Sequence, residues 1–241
     1  MKSIFLILLT VARLSHADQA TDLLEASDLG RGGLKRGIEW TAVVETAENG
    51  EESKREFKIK ALDHDAFVEA LAPAKNKGEV FLFNDRQMWF FKPSLKKPVA
   101  ISARQKLSGQ ASNGDIASTH YARDYNATVE KTEKMDGAQF HVLLLKAKSK
   151  NLTYDQIRYW INDKTRLAMK IEFLTLQGQP FKYGYLEYKN TLAVNGTSIP
   201  FVSELRIVDA KFENNKSIIR YQKPRLIDHA ASIFNYNNMT R

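Results

Sequence analysis

Apolar and polar residues alternate at every second position in many short stretches of the chain. In the segment EFKIKAL, for example, Phe57, Ile59 and Ala61 are separated by lysines. Successive side chains of a strand point to opposite faces, so this spacing predicts a strand with one buried and one wet face. The segment LAMKIEFLT predicts the same arrangement, with an apolar face made of Leu167, Met169, Ile171 and Phe173.

Turn-forming residue pairs separate these stretches at short intervals. Asn, Asp and Gly tolerate the backbone of tight turns, so such pairs between β-branched and aromatic runs are typical of antiparallel hairpins. No helical pattern lies between consecutive strands, which argues against parallel βαβ units. The pairs are Asn49-Gly50, Asn84-Asp85, Asp136-Gly137, Asn162-Asp163, Gln177-Gly178 and Asn195-Gly196.

Two aromatic segments, EVFLF and QMWFF, are apolar at consecutive positions instead of alternating. A strand with this composition has both of its faces covered, by a second layer, by helices or by a ligand. Helical character is confined to residues 19–28, the segment SNGDIASTHYARDY and the tail segment LIDHAASIFNY.

The predicted fold is therefore α+β and mostly β, with about eleven strands in one large antiparallel sheet. A sheet of that width twists and curls, and if it does not close, its concave face is too wide for its own side chains to fill. We predict an unclosed half-barrel with short helices as a lid. Partial cover by the helices would leave an apolar cleft, which is a candidate ligand site.

The amino terminus has the composition of an export signal. Lys2 precedes an apolar run over residues 4–11, and the sequence SHA, which ends at Ala17, offers a cleavage site. The run is too short for a bilayer, which needs about 20 residues. We predict a signal peptide at residues 1–17, cleavage after Ala17 and one domain at residues 18–241, located in the periplasm.

Composition narrows the classes of function. The chain has 36 Lys and Arg against 28 Asp and Glu, a net charge of +8, and no Cys. A basic exported protein is attracted to anionic lipid head groups or acidic partners, whereas the predicted compartment excludes nucleic acid. No two histidines lie at i and i+4, so no metal site is indicated. A nucleophile elbow, a P-loop and a dinucleotide fingerprint are also missing, so we predict neither an enzyme nor a cofactor.

One continuous region carries a recognisable family pattern. The sequence MWFFKPSLKKPVAIS is followed by RQKLSGQASNGDIASTHYARDY. Together they resemble the outer-membrane lipoprotein-sorting protein family, the LolA-like periplasmic carriers, and within it the branch found beside bacterial export transporters. The resemblance implies an unclosed β half-barrel with an apolar inner face and helices as its lid.

The small residues of LSGQASNGD let the backbone turn tightly and approach other backbone closely, as a lid element over the groove requires. The alternative is a helix cap and loop without a ligand role. Alternate residues of a strand face opposite ways, so only one of Trp89 and Phe90 can line the groove, and we favour Trp89 and Phe91. The predicted ligand-binding residues of groove and lid are Trp89, Phe91, Phe81, Trp160, Ile116 and Tyr121.

The turn PSLKKP is a candidate docking finger for a partner or a membrane surface. Prolines stiffen both ends, Leu95 is predicted to be an exposed apolar tip, and Lys96 and Lys97 place two charges beside it. The alternative is an ordinary hairpin loop kept soluble by its lysines.

The predicted function is that of a periplasmic carrier. An apolar groove would hold the acyl chains of a lipoprotein or a lipid during transport towards the outer membrane, with transient contact to membrane surfaces. The chain has no ATP site, so the energy for loading would have to come from a partner. The resemblance to the branch found beside export transporters implies that this partner is an inner-membrane transporter. The alternative is an accessory subunit that docks on such an export transporter and carries no lipid itself.

Overall fold

The computed structural model describes residues 19–117 and 120–240, and the predicted signal peptide lies outside them. Seventeen strands are present in this part of the chain: β1 (Gly37–Glu48), β2 (Glu51–Leu62), β3 (Asp65–Ala72), β4 (Val80–Asn84), β5 (Gln87–Phe91), β6 (Val99–Ile101), β7 (Lys106–Ser108), β8 (Ala111–Ser112), β9 (Tyr125–Met135), β10 (Ala138–Ala147), β11 (Gln156–Asn162), β12 (Ala168–Leu174), β13 (Pro180–Glu187), β14 (Asn190–Val194), β15 (Thr197–Phe201), β16 (Glu204–Asp209) and β17 (Lys216–Leu226).

The helices are short. Helix α1 occupies residues 19–29, and the segment predicted as one helix after Ser112 forms two pieces, α2 (Asn113–Ala117) and α3 (Tyr121–Asp124). Single 3₁₀ turns occupy Ala74–Asn76, Ala231–Phe234 and Tyr236–Asn238. Helical structure was therefore predicted correctly at residues 19–28, after Ser112 and in the tail, whereas the turn at Ala74–Asn76 was not predicted.

Thirteen strands join one antiparallel sheet in the order β6-β5-β4-β3-β2-β1-β17-β16-β13-β12-β11-β10-β9. The sheet does not close, so β6 and β9 are its two edges, and the predicted fold class is confirmed. Two further pairs, β7 with β8 and β14 with β15, form separate small sheets. The expected count of about eleven strands was too low, because strands as short as β6, with three residues, show no periodicity in the sequence.

The predicted hairpin turns are confirmed, and the backbone explains their composition. Asn49, Asp85, Asp136 and Asn195 all have positive φ, the left-handed region that Asn and Asp tolerate best. The turn between β16 and β17, residues 210–215, was not predicted because it contains no Gly. There the Asp209 carboxylate accepts hydrogen bonds from the backbone N–H groups of the two turn residues Lys211 (2.8 Å) and Phe212 (3.0 Å).

Most predicted strand faces are correct. Phe57, Ile59 and Ala61 are at most 1% exposed and point into the core. The prediction for Met169 was wrong, because the register between β11 and β12 shifts at this point and Met169 is the extra residue. It is 37% exposed, and its neighbour Ala168 is buried instead.

The segments EVFLF and QMWFF, for which the sequence predicted two covered faces, have apolar neighbours on both faces. On the inner face of the curled sheet, Phe81 and Phe83 of β4 join the main core. On the outer face, Val80 and Leu82 pack against Phe234 of the C-terminal tail. The second layer over these strands is thus the end of the chain itself.

Candidate functional site

The concave face of the sheet is the candidate site, and the lid helices fill it. Inward-facing side chains from both halves of the sheet form one continuous apolar core with α1, α2 and α3. Ile116 of α2 and Tyr121 of α3 belong to this core and are 2% and 4% exposed. The prediction of a cleft left open by partial cover therefore needs correction, because in the described residues the lid packs into the hollow instead of lying across it.

The sequence LSGQASNGD is small because it passes close to other parts of the chain. Gly109 has φ of +54°, and a Cβ on it would lie 2.7 Å from Ser217 Oγ of β17. A Cβ on Gly114 would lie 1.8 Å from Thr153 Oγ1. Ser217 Oγ accepts a hydrogen bond from Gln110 N (2.7 Å) and donates one to Ser108 O (3.0 Å). The close approach predicted from these small residues is confirmed at both glycines.

Asp115 anchors the start of the lid. Its buried carboxylate accepts hydrogen bonds from Ser112 N (2.7 Å) and from the hydroxyl of Tyr154 (2.9 Å). Burial raises the pKa of Asp115 above its ordinary value. Lys182 Nζ donates to the carbonyl of Gln110 (2.7 Å), and burial lowers the pKa of Lys182. These buried hydrogen bonds connect the start of α2 to Tyr154 and Lys182 on the sheet side of the lid.

Arg31, in the loop after α1, holds the middle of the lid. Its guanidinium lies 4.3 Å from the centroid of the Tyr121 ring, a cation–π contact. Arg31 Nη1 also donates to the hydroxyl of Tyr159 on β11 (3.3 Å). The rings of Tyr121 and Tyr159 are 5.6 Å apart, so the lid, the loop and the floor of the hollow meet at this point.

Helix α3 is attached at both of its ends. The carboxylate of Asp28, at the end of α1, accepts a hydrogen bond from Ala122 N (2.8 Å). On the other side, Arg86 Nε in the turn between β4 and β5 donates to Asp124 Oδ1 (2.8 Å). Asp28 is 2% exposed, and burial raises its pKa to about 7. The bond between α1 and the lid therefore involves a carboxyl group that titrates near neutral pH.

A cavity of about 700 Å³ lies on the seam between α1 and α3. His120 lies at this seam, where burial lowers its pKa and its Nε2 is 3.7 Å from Asp63 Oδ1. The lid and α1 face each other across this cavity. Its lining comes from α1 and the loop after it, the turn between β2 and β3, and the start of α3: Asp22, Glu25, Ala26, Asp28, Leu29, Gly33, Leu34, Lys35, Asp63, His64, His120, Ala122 and Arg123.

The structure divides the predicted ligand residues between the two faces of the sheet. Phe81, Ile116 and Tyr121 belong to the inner core. Trp89 and Phe91 lie on the outer face of β5 with the C-terminal tail, and the Trp89 ring is 4.5 Å from that of Tyr236. The preference for Trp89 over Phe90 as an inward residue was wrong, because the alternation of β5 turns Met88 and Phe90 inward.

Trp160 and the docking finger also differ from expectation in their positions. Trp160 packs on the outer face with Phe140 and Val142, and its indole N–H donates to Glu133 Oε1 (2.5 Å). Leu95 is half-buried and is not an exposed tip, whereas Lys96 and Lys97 are exposed as predicted. The backbone N–H of Leu95 donates to Lys92 O (2.8 Å), which folds the turn onto itself.

The polar residues that hold the lid were not found from the sequence. Asp28 and Arg31 flank a glycine-rich helix end, DLGRGG, where charged residues are ordinarily solvated. Tyr159 follows the alternation of β11, but its partner comes from 128 residues away. Among residues 19–117 and 120–240, no cluster of three His, Asp or Glu side chains is placed to hold a metal, and no helix is long and apolar enough to cross a membrane.

Three solved structures share this architecture. A LolA superfamily protein from Nitrosomonas europaea is 26% identical, with a TM-score of 0.80 over 90% of this chain and 98% of that chain. A DUF1329 family protein from Desulfovibrio piger is 18% identical, with a TM-score of 0.76 over 93% and 99%. A domain described as an outer membrane lipoprotein-sorting protein, from Vibrio parahaemolyticus, is 18% identical, with a TM-score of 0.76 over 93% and 100%.

Comparison of the sequence with known families gives one match, and comparison with curated proteins gives none. A family model with the description "Uncharacterized protein" matches residues 62–241, which include the lid and all strands after β2. No curated protein matches the chain.

Proposed function

We propose that this chain, which belongs to the LolA superfamily and to the family whose model matches residues 62–241, is a periplasmic carrier of acyl chains. The cargo would be the acyl chains of a lipoprotein or of a free lipid, held in the hollow of the half-barrel. Loading would require α2 and α3 to leave the hollow so that the tails take the place of Ile116 and Tyr121.

The observation that carries this proposal is the contrast between the hollow and its cover. The core under the lid is apolar and fully buried, yet the lid is attached at its periphery by a few polar contacts from Asp28, Arg31 and Asp115. A cover of two short helices, of five and four residues, adds little helical stability of its own. Such a cover can exchange one apolar surface for another at modest cost.

The energetics of transport require a covered apolar site of this kind. Each buried methylene is worth about 0.8 kcal/mol, so a tail of a dozen methylenes in water costs on the order of 10 kcal/mol. A carrier must offset most of that cost and still release the tail at the destination. A lid that refills the empty hollow helps release, because the apolar core then stays covered in the protein without cargo.

A second candidate function is favoured by the filled hollow itself. An accessory subunit of an inner-membrane export transporter needs no space for a tail, and its lid would be a fixed part of the core. The two functions differ in whether the purified protein takes up acyl chains.

Two aromatic side chains on opposite sides of the sheet give a matched test: Tyr121 of the lid, which contacts Tyr159 on the inner face, and Trp160 on the outer face of β11. A fluorescent fatty acid would be titrated into the wild type, into Tyr121→Ala on the lid and into Trp160→Ala on the outer face. The carrier predicts uptake by the wild type, several-fold faster uptake by Tyr121→Ala because the lid has lost its aromatic anchor, and an unchanged rate for Trp160→Ala. No uptake by any of the three folded proteins, together with capture of a transporter from detergent-solubilised membranes, would favour the accessory subunit.

A further inference from the structure

Leu176 and Phe212 are the most exposed large apolar side chains in the described part of the protein, at 70% and 65%. The next, Leu29, is 44% exposed. Both residues lie in hairpin turns, Leu176 between β12 and β13 and Phe212 between β16 and β17. Neither side chain has a packing role that would explain an apolar residue at its position.

The sheet brings these two turns to the same end of the half-barrel. Strands β17, β16, β13 and β12 are consecutive neighbours, and Lys182 of β13 pairs with Asp209 of β16 next to the turns. The two turns are therefore separated by about two strand spacings, roughly 10 Å. We call this surface, made of residues 175–179 and 210–215, the Leu176–Phe212 edge.

Both turns have a firmly held backbone. The Asp209 carboxylate bonds the N–H groups of residues 211 and 212, and Asn215 N donates to Phe212 O (2.8 Å). In the other turn, Gly178 N donates to Thr175 O (2.9 Å), and Gln156 Nε2 donates to Leu176 O (3.0 Å). The backbone thus presents the two apolar side chains at fixed positions.

Lysines surround the Leu176–Phe212 edge. Leu176 lines a shallow cavity with Lys146 of β10 and with Lys148 and Lys150 of the β10–β11 loop, and Lys148 Nζ also donates to the carbonyls of Ala122 and Arg123. Exposed Lys211 and Lys216 flank Phe212. Several acidic groups at this end are already engaged: Asp209 accepts hydrogen bonds from the turn, Asp155 is paired with Arg104 (2.7 Å) and Glu48 with Lys106 (2.7 Å). Glu213 and, beside the neighbouring β1–β2 turn, Glu51 and Glu52 are exposed.

From these contacts we propose that the Leu176–Phe212 edge docks on an anionic lipid bilayer. Two apolar side chains on separate turns, with ammonium groups around them, match the depth profile of a membrane interface, where side chains enter the acyl boundary and lysines meet lipid phosphates. A flat protein partner would instead favour one contiguous apolar patch. This docking surface is distinct from the finger at Leu95, which is half-buried.

Co-sedimentation with lipid vesicles tests this proposal. The mature chain, residues 18–241, would be mixed with phosphatidylcholine vesicles that contain or lack phosphatidylglycerol. We expect binding only to the anionic vesicles, weakened by salt, and about tenfold weaker binding for the double variant Leu176→Asp/Phe212→Asp. Both substitutions are at exposed turn positions, so the fold is retained, and circular dichroism checks it.

Two control variants make the result specific. Met169→Asp adds a charge to an exposed apolar position at the opposite end of β12, and Lys96→Glu/Lys97→Glu reverses two charges at the finger; both are expected to bind as the wild type does. Wild-type protein that fails to bind anionic vesicles, or a Leu176→Asp/Phe212→Asp variant that binds normally, would overturn the proposal. Fatty-acid uptake by that variant is expected to be unchanged, so failure of docking is distinguishable from failure of the carrier function.

Discussion

The Asp28 carboxylate, at the end of α1, accepts a 2.8 Å hydrogen bond from the backbone N–H of Ala122 in the lid helix α3. The two residues are 94 positions apart in the sequence, and the bond closes the seam between α1 and the lid. The other carboxylate oxygen of Asp28, Oδ1, has no hydrogen-bond partner among the described residues. The lid is thus held by a buried acidic group whose charge is only partly compensated.

The burial of Asp28 predicts how the free energy of unfolding depends on pH. Burial raises the pKa of Asp28 from 3.8 to about 7, so between these pH values the folded protein keeps a proton that the unfolded chain releases. The carboxyl group therefore lowers the free energy of unfolding progressively as pH rises from about 4 to about 7, and the loss is complete above that range. The full difference corresponds to about 4 kcal/mol as an upper figure.

The variant Asp28→Asn retains an acceptor for Ala122 N but cannot ionise. We expect it to gain stability relative to the wild type as pH rises from 5 to 8, measured by urea unfolding at each pH. Other titrating groups, such as Asp115 and His120, are the same in both proteins and cancel in the difference. A pH-independent difference would mean that Asp28 ionises normally in the folded protein.

Gly114 is predicted to tolerate no side chain. A Cβ there would lie 1.8 Å from Thr153 Oγ1 and 3.0 Å from Thr153 Cβ, so Gly114→Ala should destabilise the protein by about 1–3 kcal/mol. Thr153→Ala removes the closest atom, and in the double variant part of the loss should be recovered. A double-mutant cycle by urea unfolding measures this coupling, and strict additivity of the two changes would contradict the contact.

The division of aromatic residues between two faces predicts where a bound acyl chain is found. A photoreactive fatty acid loaded into the protein should label inner-face residues such as Phe81 and Phe90, and not Trp89 or Phe91 on the outer face. Tryptic cleavage after Arg86 separates Phe81 from the other three, and fragmentation of the peptides identifies the labelled residue. Labelling concentrated at Trp89 would place the acyl chain under the C-terminal tail instead.

The C-terminal tail should stabilise the protein but should not take part in acyl-chain binding in the hollow. Truncation after Ala230 removes Phe234, Tyr236 and Met239, which cover Leu82 and Trp89 on the outer face. We expect a loss of about 2–4 kcal/mol and a red shift of tryptophan emission as Trp89 meets water. Fatty-acid uptake by the truncated protein, measured where it remains folded, should match that of the full chain; a loss of uptake would tie the tail to the site.

Local patterns in the sequence determined the strands, the hairpin turns and the open antiparallel sheet. Alternation, as at Phe57 and Ile59, and turn pairs such as Asn49-Gly50 depend only on neighbouring residues, because strand geometry and positive φ are local properties. The small residues around Gly109 and Gly114 likewise indicated close packing of the lid segment, which the structure confirms.

Only the tertiary structure decided which face of a doubly apolar strand is the inner one. Trp89 and Phe90 are equivalent in the sequence, and the C-terminal tail, more than 140 residues away, determines that Trp89 is on the outside. The lid contacts of Asp28 and Arg31 could not be predicted from the sequence for the same reason. Their partners are 94 and 128 residues away, and a charged side chain is recognised as buried only when those partners are in place.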